Sequence, residues 1–348
     1  MTYPLTSILQ QFDVPTEQVQ LRPWAGQGFS GSQIWKISLP ATHRHYCLRA
    51  FPPGKPDLET LRWRTEQLQR AAPFDFLCLP LFTRDGQTHL SCDGRLWQIE
   101  PWADGKNDFH QQASDEKLAS VMLGLARLHE HWKVPGVPQS TTSLGLARRI
   151  SLLNHWLGQG DVPWMACRAA IGQRSDFTAS DGVGQWELHR DATDQRTAWW
   201  SLLERIQQQF TKHAGPLLQG LQATASLKSQ ICVVLGDPWS DHLFFKDHQL
   251  TAIIDYDAMR LDTPVADLSR CLCSLVGQDA DRQRQALAHY QKVSPLRDQQ
   301  WELLYWYNLS SRVLGPLLWL QWLFLDQTIR PQTHIQQRLE KTISGAPF

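Results

Sequence analysis

The sequence predicts an α+β protein of two lobes, a small β-rich front and a larger, mostly helical back. Three observations carry that expectation. Short apolar runs crowd residues 20–102, whereas apolar residues recur at helical spacing from Ser114 onward. The chain has 348 residues, more than one compact core holds and suited to two. Between the two textures lies the polar run Ala103–Asp108, which divides residues 1–102 from 103–348.

In the front lobe, Gln33–Leu39 and His45–Ala50 read as strands joined by a turn at Pro40-Ala41-Thr42. A helix is expected from Asp57 to Arg70, and further strands near Phe76–Phe82, Thr88–Cys92 and Arg95–Glu100. In the back lobe, Ser114 can cap a helix whose apolar positions are Leu118, Val121, Met122, Leu125, Leu128 and Trp132. One short β segment is expected around 231–254, and residues 158–198 are the most polar and irregular stretch. Val313–Leu325 is the longest apolar stretch, interrupted by Gly315-Pro316 and Gln321 and too short to span a bilayer. It reads as a buried C-terminal helix with Trp319 and Trp322 in the core.

Composition narrows the function. Hydrophobic residues make up 42%, which supplies a core and excludes disorder. Lys plus Arg and Asp plus Glu are equal at 34 each, so nothing electrostatic favours nucleic acid or a membrane surface as partner. The seven cysteines form no C-x-x-C pair, and Cys271 and Cys273 would point apart on a helix. Free thiols in a reducing compartment are expected. Residues 1–18 carry neither the basic nor the apolar region of a secretory leader, so a cytoplasmic location is expected. The oligomeric state has no signal in the sequence.

The chemistry concentrates in residues 231–257. Leu243–Phe245 and Leu250–Ile254 flank the turn-like Lys246-Asp247-His248-Gln249, which makes a β-hairpin. Asp237, Asp241 and His242 enter that hairpin, and Asp255 and Asp257 leave it. All five would gather at its open end, where paired strands lie roughly 5 Å apart. Clustered carboxylates repel unless a cation or proton relieves them, and magnesium takes carboxylate oxygens completed by water and phosphate. A second element is the G-x-G-x-x-G run Gly26, Gly28 and Gly31, which leads into strand rather than helix. That context suits a phosphate cover of the protein-kinase kind, where backbone N–H groups approach phosphate without an intervening side chain. Arg49, on the following strand, could reach the phosphates beneath such a loop.

Taken together these features resemble the aminoglycoside phosphotransferase and choline kinase-like superfamily, over about Val19–Ser274. The resemblance implies a protein-kinase-like two-lobe fold, ATP, Mg2+ (or Mn2+) and a small-molecule hydroxyl acceptor. Gly236-Asp237 match the family's catalytic loop, Ile254-Asp255 its metal motif, and Asp267 a later structural acid. By that resemblance Asp237 is the catalytic base, Asp255 holds the metal, Asp267 braces the loop, and the backbone of Ile99–Trp102, including Glu100 and Trp102, faces adenine. Three positions depart from the pattern. Leu235 replaces the loop His, Arg49 the strand Lys, and His242 the Asn metal ligand. An imidazole suits manganese or zinc better than magnesium. Three roles for position 242 stand open: His242 as second metal ligand, Asp241 supplying the missing oxygen, or His242 as a phosphate donor with one metal. Glu59 and Glu66 are both available as the helix acid that pairs with Arg49.

The expected activity is transfer of the ATP γ-phosphoryl group to a small molecule. The alternatives are a non-catalytic nucleotide-binding relative and a metal-dependent phosphate-ester hydrolase. A polycationic acceptor would call for a strongly acidic cleft, whereas the chain is neutral overall, so an endogenous hydroxylated metabolite suits it at least as well as an antibiotic.

Overall fold

The structure, a computed structural model, describes residues 5–15, 19–24, 31–133, 143–173, 192–227, 230–328 and 333–345. Its packing gives two compact units, residues 1–132 with 241–260 and residues 133–240 with 261–348. The first long helix and the hairpin are therefore grouped with the strands.

The first unit holds α1 (Leu5–Gln11), β1 (Gln20–Pro23), β2 (Gln33–Leu39), β3 (Arg44–Ala50), α2 (Leu58–Arg70), β4 (Leu90–Cys92) and β5 (Arg95–Pro101). The strands make one antiparallel sheet in the order β1-β2-β3-β5-β4. Alternation sorts its two faces. Trp35, Ile37, Leu48, Trp97 and Ile99 bury against Ile8, Leu9 and Phe12, with Trp35 and Trp97 stacked at 5.6 Å. The register pairs Cys47 with Glu100 and Arg49 with Gln98, which puts these four on the other face. There α2 is anchored by the Gln98 amide, which donates to the Thr65 hydroxyl at 3.2 Å.

Phe76–Phe82 does not form the expected strand. Pro80 has no N–H to give a ladder, and the segment is tied at its two ends, where Ile253 N donates to Phe76 O (2.8 Å) and Leu81 N to Ile99 O (2.7 Å). The helix α3 (Asp115–His131) starts where Ser114 accepts from Lys117 N, and its expected apolar positions are all buried. The hairpin is β7 (Leu243–Lys246) with β8 (Gln249–Ile253), closed through Asp247 at φ +52°. Only glycine fits at position 105, where φ is +101° and a Cβ would lie 2.5 Å from the Phe245 carbonyl oxygen.

The second unit is built from α4 (Leu144–Gly158), α5 (Val162–Gln173), α6 (Ala192–Thr224), α7 (Val265–Leu275), α8 (Ala280–Gln291), α9 (Asp298–Leu320) and α10 (Thr333–Ser344). The short strands β6 (Cys232–Val234) and β9 (Arg260–Asp262) pair. Helix α9 packs against α4, α6, α7 and α10. A buried polar knot braces the unit: Ser143 donates to Asp262 and meets the Tyr307 hydroxyl at 2.6 Å, and Thr263 N donates to Asp262 at 2.9 Å. Asp262 is fully buried, so the bonds it accepts from Ser143 and Thr263 offset the desolvation of its carboxyl.

Two further expectations change here. Part of the stretch read as irregular is the helix α5, which buries Trp164, Cys167 and Ile171; residues 174–191 lie outside the described residues. Helix α9 passes into a π-helical turn, Gln321–Leu325. The added residue per turn shifts the phase, so Leu323 and Phe324 are buried while Trp322 is 38% exposed. Trp322 therefore stacks edge-on against the half-buried Trp319 at 5.5 Å instead of filling core. All seven cysteines are free thiols. No helix among the described residues is long and apolar enough to cross a membrane.

Candidate active site

Two clusters carry chemistry, one in each unit. In the first unit, Arg49 projects from β3, where its Nε donates to the Ser32 hydroxyl at 3.2 Å and its guanidinium bonds Asp257. A second carboxylate, Asp255, stands 3.9 Å from the same guanidinium. From α2, Arg64 comes within 3.6 Å of the other oxygen of Asp257. One carboxylate thus lies between two guanidinium groups. The His242 ring stands 3.8 Å from Asp255, whose carboxylate is 40% exposed. Asp255 holds φ at +64°, a conformation that strains a residue with a side chain and clusters at functional sites.

Electrostatics follow from this packing. Burial works against the charge of Arg49, and Asp257, Asp255 and Glu100 together outweigh it. Burial also raises the Asp257 carboxyl, with Arg49 pulling it back and Asp255 adding repulsion. On the sheet face beside Cys47, burial pushes Glu100 up to about 7, against the pull of Arg49. Arg64 shifts the other way. Burial lowers it, and Asp257 compensates only in part.

The residues singled out from the sequence fall into three groups. His242, Asp255 and Asp257 are brought together, with Arg49 beside them. Asp241 is exposed, and its carbonyl accepts from the Asn107 amide at 3.4 Å. Gly26 and Gly28 lie outside the described residues, while Gly31 (φ +71°) immediately precedes the serine bonded to Arg49. Near the end of β5, Glu100 presents its side chain to this cluster. The Trp102 N–H is committed to the His45 carbonyl at 3.0 Å, so it is not a free donor for a base. The Trp102 ring packs edge-on to Trp24 and under the Lys36 ammonium.

Neither Glu59 nor Glu66 is the partner of Arg49. Both are exposed on α2, and Asp257 takes that place. Arg64 and the pairing role of Asp257 were missed. A signal for Arg64 exists, because it stands three residues after Leu61 and four before Leu68, both buried, on the inward stripe of the helix.

The second unit holds Asp237, whose carboxylate accepts from Arg270 Nε at 2.5 Å. Arg270 in turn lies 4.0 Å over the Trp239 ring, which Arg338 also contacts at 4.2 Å. Asp267 is fully buried and accepts the N–H groups of Leu235 and Gly236, both at 2.7 Å. Gly236 turns the loop at φ +83°. Arg270 also escaped the sequence reading, although it sits one helical turn beyond Asp267 on α7 and so on the same face.

A divalent ion fits the first cluster in one form only. Among the described residues no three His, Cys, Asp or Glu side chains are placed to hold a metal ion together, so there is no protein cage. Asp255 would offer such an ion a carboxylate and leave the rest of its shell to water and phosphate, a pattern that suits magnesium, and the His242 ring 3.8 Å away would add a nitrogen that suits manganese or zinc better.

Residues 26–304 match the sequence profile described as the phosphotransferase enzyme family. No curated protein matches the chain. Among solved structures, a microcompartment-associated aminopropanol kinase superposes with a TM-score of 0.60 at 15% identity, covering 98% of this chain and 94% of that one. A spectinomycin phosphotransferase solved with ADP and spectinomycin gives 0.56 at 13% identity, covering 98% and 92%. An ethanolamine kinase from Plasmodium vivax gives 0.52 at 13%, covering 98% and 86%. At such identities the likeness is one of fold, and it establishes the kinase-like α+β architecture that the sequence predicts. The profile spans most of the chain, and the protein belongs to the phosphotransferase enzyme family.

Proposed function

We propose that the protein is an ATP-dependent kinase of a hydroxylated small molecule. The observation that carries this reading is the cluster at the open end of the hairpin. It sets a basic side chain, Arg49, against two carboxylates, Asp255 and Asp257, and ties it to Ser32, the residue that follows the glycine run. In this reading Arg49 binds the phosphate chain, and Asp255 with His242 holds the divalent ion. When bound, that ion supplies charge neutralisation at the β- and γ-phosphates.

Asp237 is the base. Its carboxylate accepts the proton of the acceptor hydroxyl as that oxygen bonds to the γ-phosphorus. The bond from phosphorus to the bridging oxygen breaks, and ADP leaves. The Arg270 guanidinium fixes the orientation of that carboxylate. Loop geometry rests on Asp267, whose two bonds hold Leu235 and Gly236.

The test is Asp237→Asn, assayed for phosphoryl transfer from ATP across a panel of hydroxylated metabolites. Loss of at least about a thousandfold in kcat, with ATP affinity kept, supports the role of Asp237. Retained turnover removes it. A second reading, a nucleotide-binding relative without turnover, is favoured by the three altered positions Leu235, Arg49 and His242. Metal-dependent ATP binding with no transfer to any acceptor selects it.

A further inference from the structure

We propose that Arg64 is a second phosphate-binding cation of the nucleotide site, held in readiness by Asp257. The inference rests on the nucleotide reading above and adds a ligand residue to it.

The reasoning begins with the sign of the helix. An acid on α2 would neutralise Arg49 and contribute nothing to a polyphosphate. Here the helix brings a guanidinium instead, and the acid comes from the chain leaving the hairpin. Asp257 gives Arg49 a direct bond and stands 3.6 Å from Arg64, beyond hydrogen-bond reach. Arg64 has five donors in a planar fork. Its Nε is buried and unpartnered, and the side chain is 15% exposed. A cation so placed carries a desolvation cost that one shared carboxylate does not offset.

The space beside it suits a phosphate. An open cleft of about 380 Å³ is lined by Ser32, Gly54, Lys55, Thr60, Arg64 and Asp257. Ser32 is the residue that Arg49 bonds, so the cleft is continuous with the Arg49 cluster. Lys55 adds a further exposed positive charge. Phosphate oxygens entering here offer Arg64 the bidentate partner that Asp257 does not. Asp257 then remains with Arg49, so the position of the strand cation is kept.

The experiment compares wild type, Arg64→Gln and Arg62→Gln by calorimetric titration with ATP and with adenosine, each at low and moderate salt. Arg62 is exposed on the same helix and makes the same change in net charge. For Arg64→Gln the expected result is a 10- to 100-fold loss of ATP affinity, the size of one or two charge-assisted bonds. Adenosine affinity stays within twofold, and Arg62→Gln matches wild type for both ligands. If Arg64→Gln does not fold, Arg64→Lys carries the comparison, with roughly a fivefold ATP loss and unchanged adenosine, because an ammonium keeps the charge and loses the fork. ATP affinity within threefold of wild type, or equal losses for ATP and adenosine, overturns the role of Arg64 while leaving the nucleotide site intact. A wild type that binds neither ligand overturns the nucleotide reading itself.

Discussion

The two clusters handle their buried carboxylates in opposite ways. In the second unit, Asp267 is fully buried and saturated by two backbone N–H groups, and Asp262 is closed in by Ser143 and Thr263. In the first unit, Asp255 is half-buried on a strained backbone, Asp257 is divided between two arginines, and the buried Nε of Arg64 has no partner. Saturated acids brace a fold, whereas shared and partly exposed ones leave bonding capacity for a ligand. Asp237 lies between the extremes, with one firm bond to Arg270 and a third of its side chain exposed.

Substitutions can break or sharpen that contrast. The largest effect is expected at Asp267. Replacing it by Ala leaves the buried N–H of Leu235 and the partly buried N–H of Gly236 unpaired and should cost about 3–5 kcal/mol in a denaturant titration. A loss under 1 kcal/mol would place Asp267 among the ligand-facing acids. Next is Arg270→Ala, which frees Asp237. A fall of about 10- to 100-fold in kcat with unchanged KM for ATP is expected, and equal changes in both would mark Arg270 as merely structural.

Smaller, and opposite in sign, is Asp255→Asn. Removing one carboxylate from a repelling cluster should raise the melting temperature of the ligand-free protein by a few degrees while metal-dependent nucleotide binding is lost. Destabilisation would show that Asp255 is a bracing acid.

The smallest effect concerns pH. Glu100 in the folded protein is raised to about 7 from an ordinary value of 4.5. The folded state therefore binds more protons than the unfolded state between those values, and stability falls as pH rises from about 4.5 to about 7. Glu100→Gln should flatten that segment of the melting-temperature profile by a few degrees. An unchanged slope would mean that Glu100 ionises as an exposed carboxylate does.

Much of this was legible in the sequence, for identifiable reasons. The hairpin is two short apolar runs, Leu243–Phe245 and Leu250–Ile254, on either side of a polar turn, so it is legible together with its flanking acids. The helix after Ser114 announces itself through its cap and its apolar period. Phe76–Phe82 has the apolar content of a strand but carries Pro80, and Trp322 turns outward because a π-helical turn breaks the period that would place it inside. The sequence offers Glu59 and Glu66 on α2 as partners for Arg49, whereas the pairing acid, Asp257, comes from far along the chain. Ion-pair choice across such a separation leaves no periodic trace. The helix stripe, by contrast, carries a signal for Arg64 left unused in the sequence analysis, since that residue stands three residues after Leu61 and four before Leu68.

The most direct test of the central claim is a thermal-shift titration with ATP, using magnesium, manganese or no added metal, on wild type and Asp255→Ala. A ligand at a hundred times its dissociation constant adds about 2.7 kcal/mol, which raises the melting temperature by several degrees. The expected result is a metal-dependent rise in wild type that Asp255→Ala abolishes, with a larger response to manganese if His242 binds the ion. No rise under any condition would contradict the account and leave a kinase-like fold without its nucleotide.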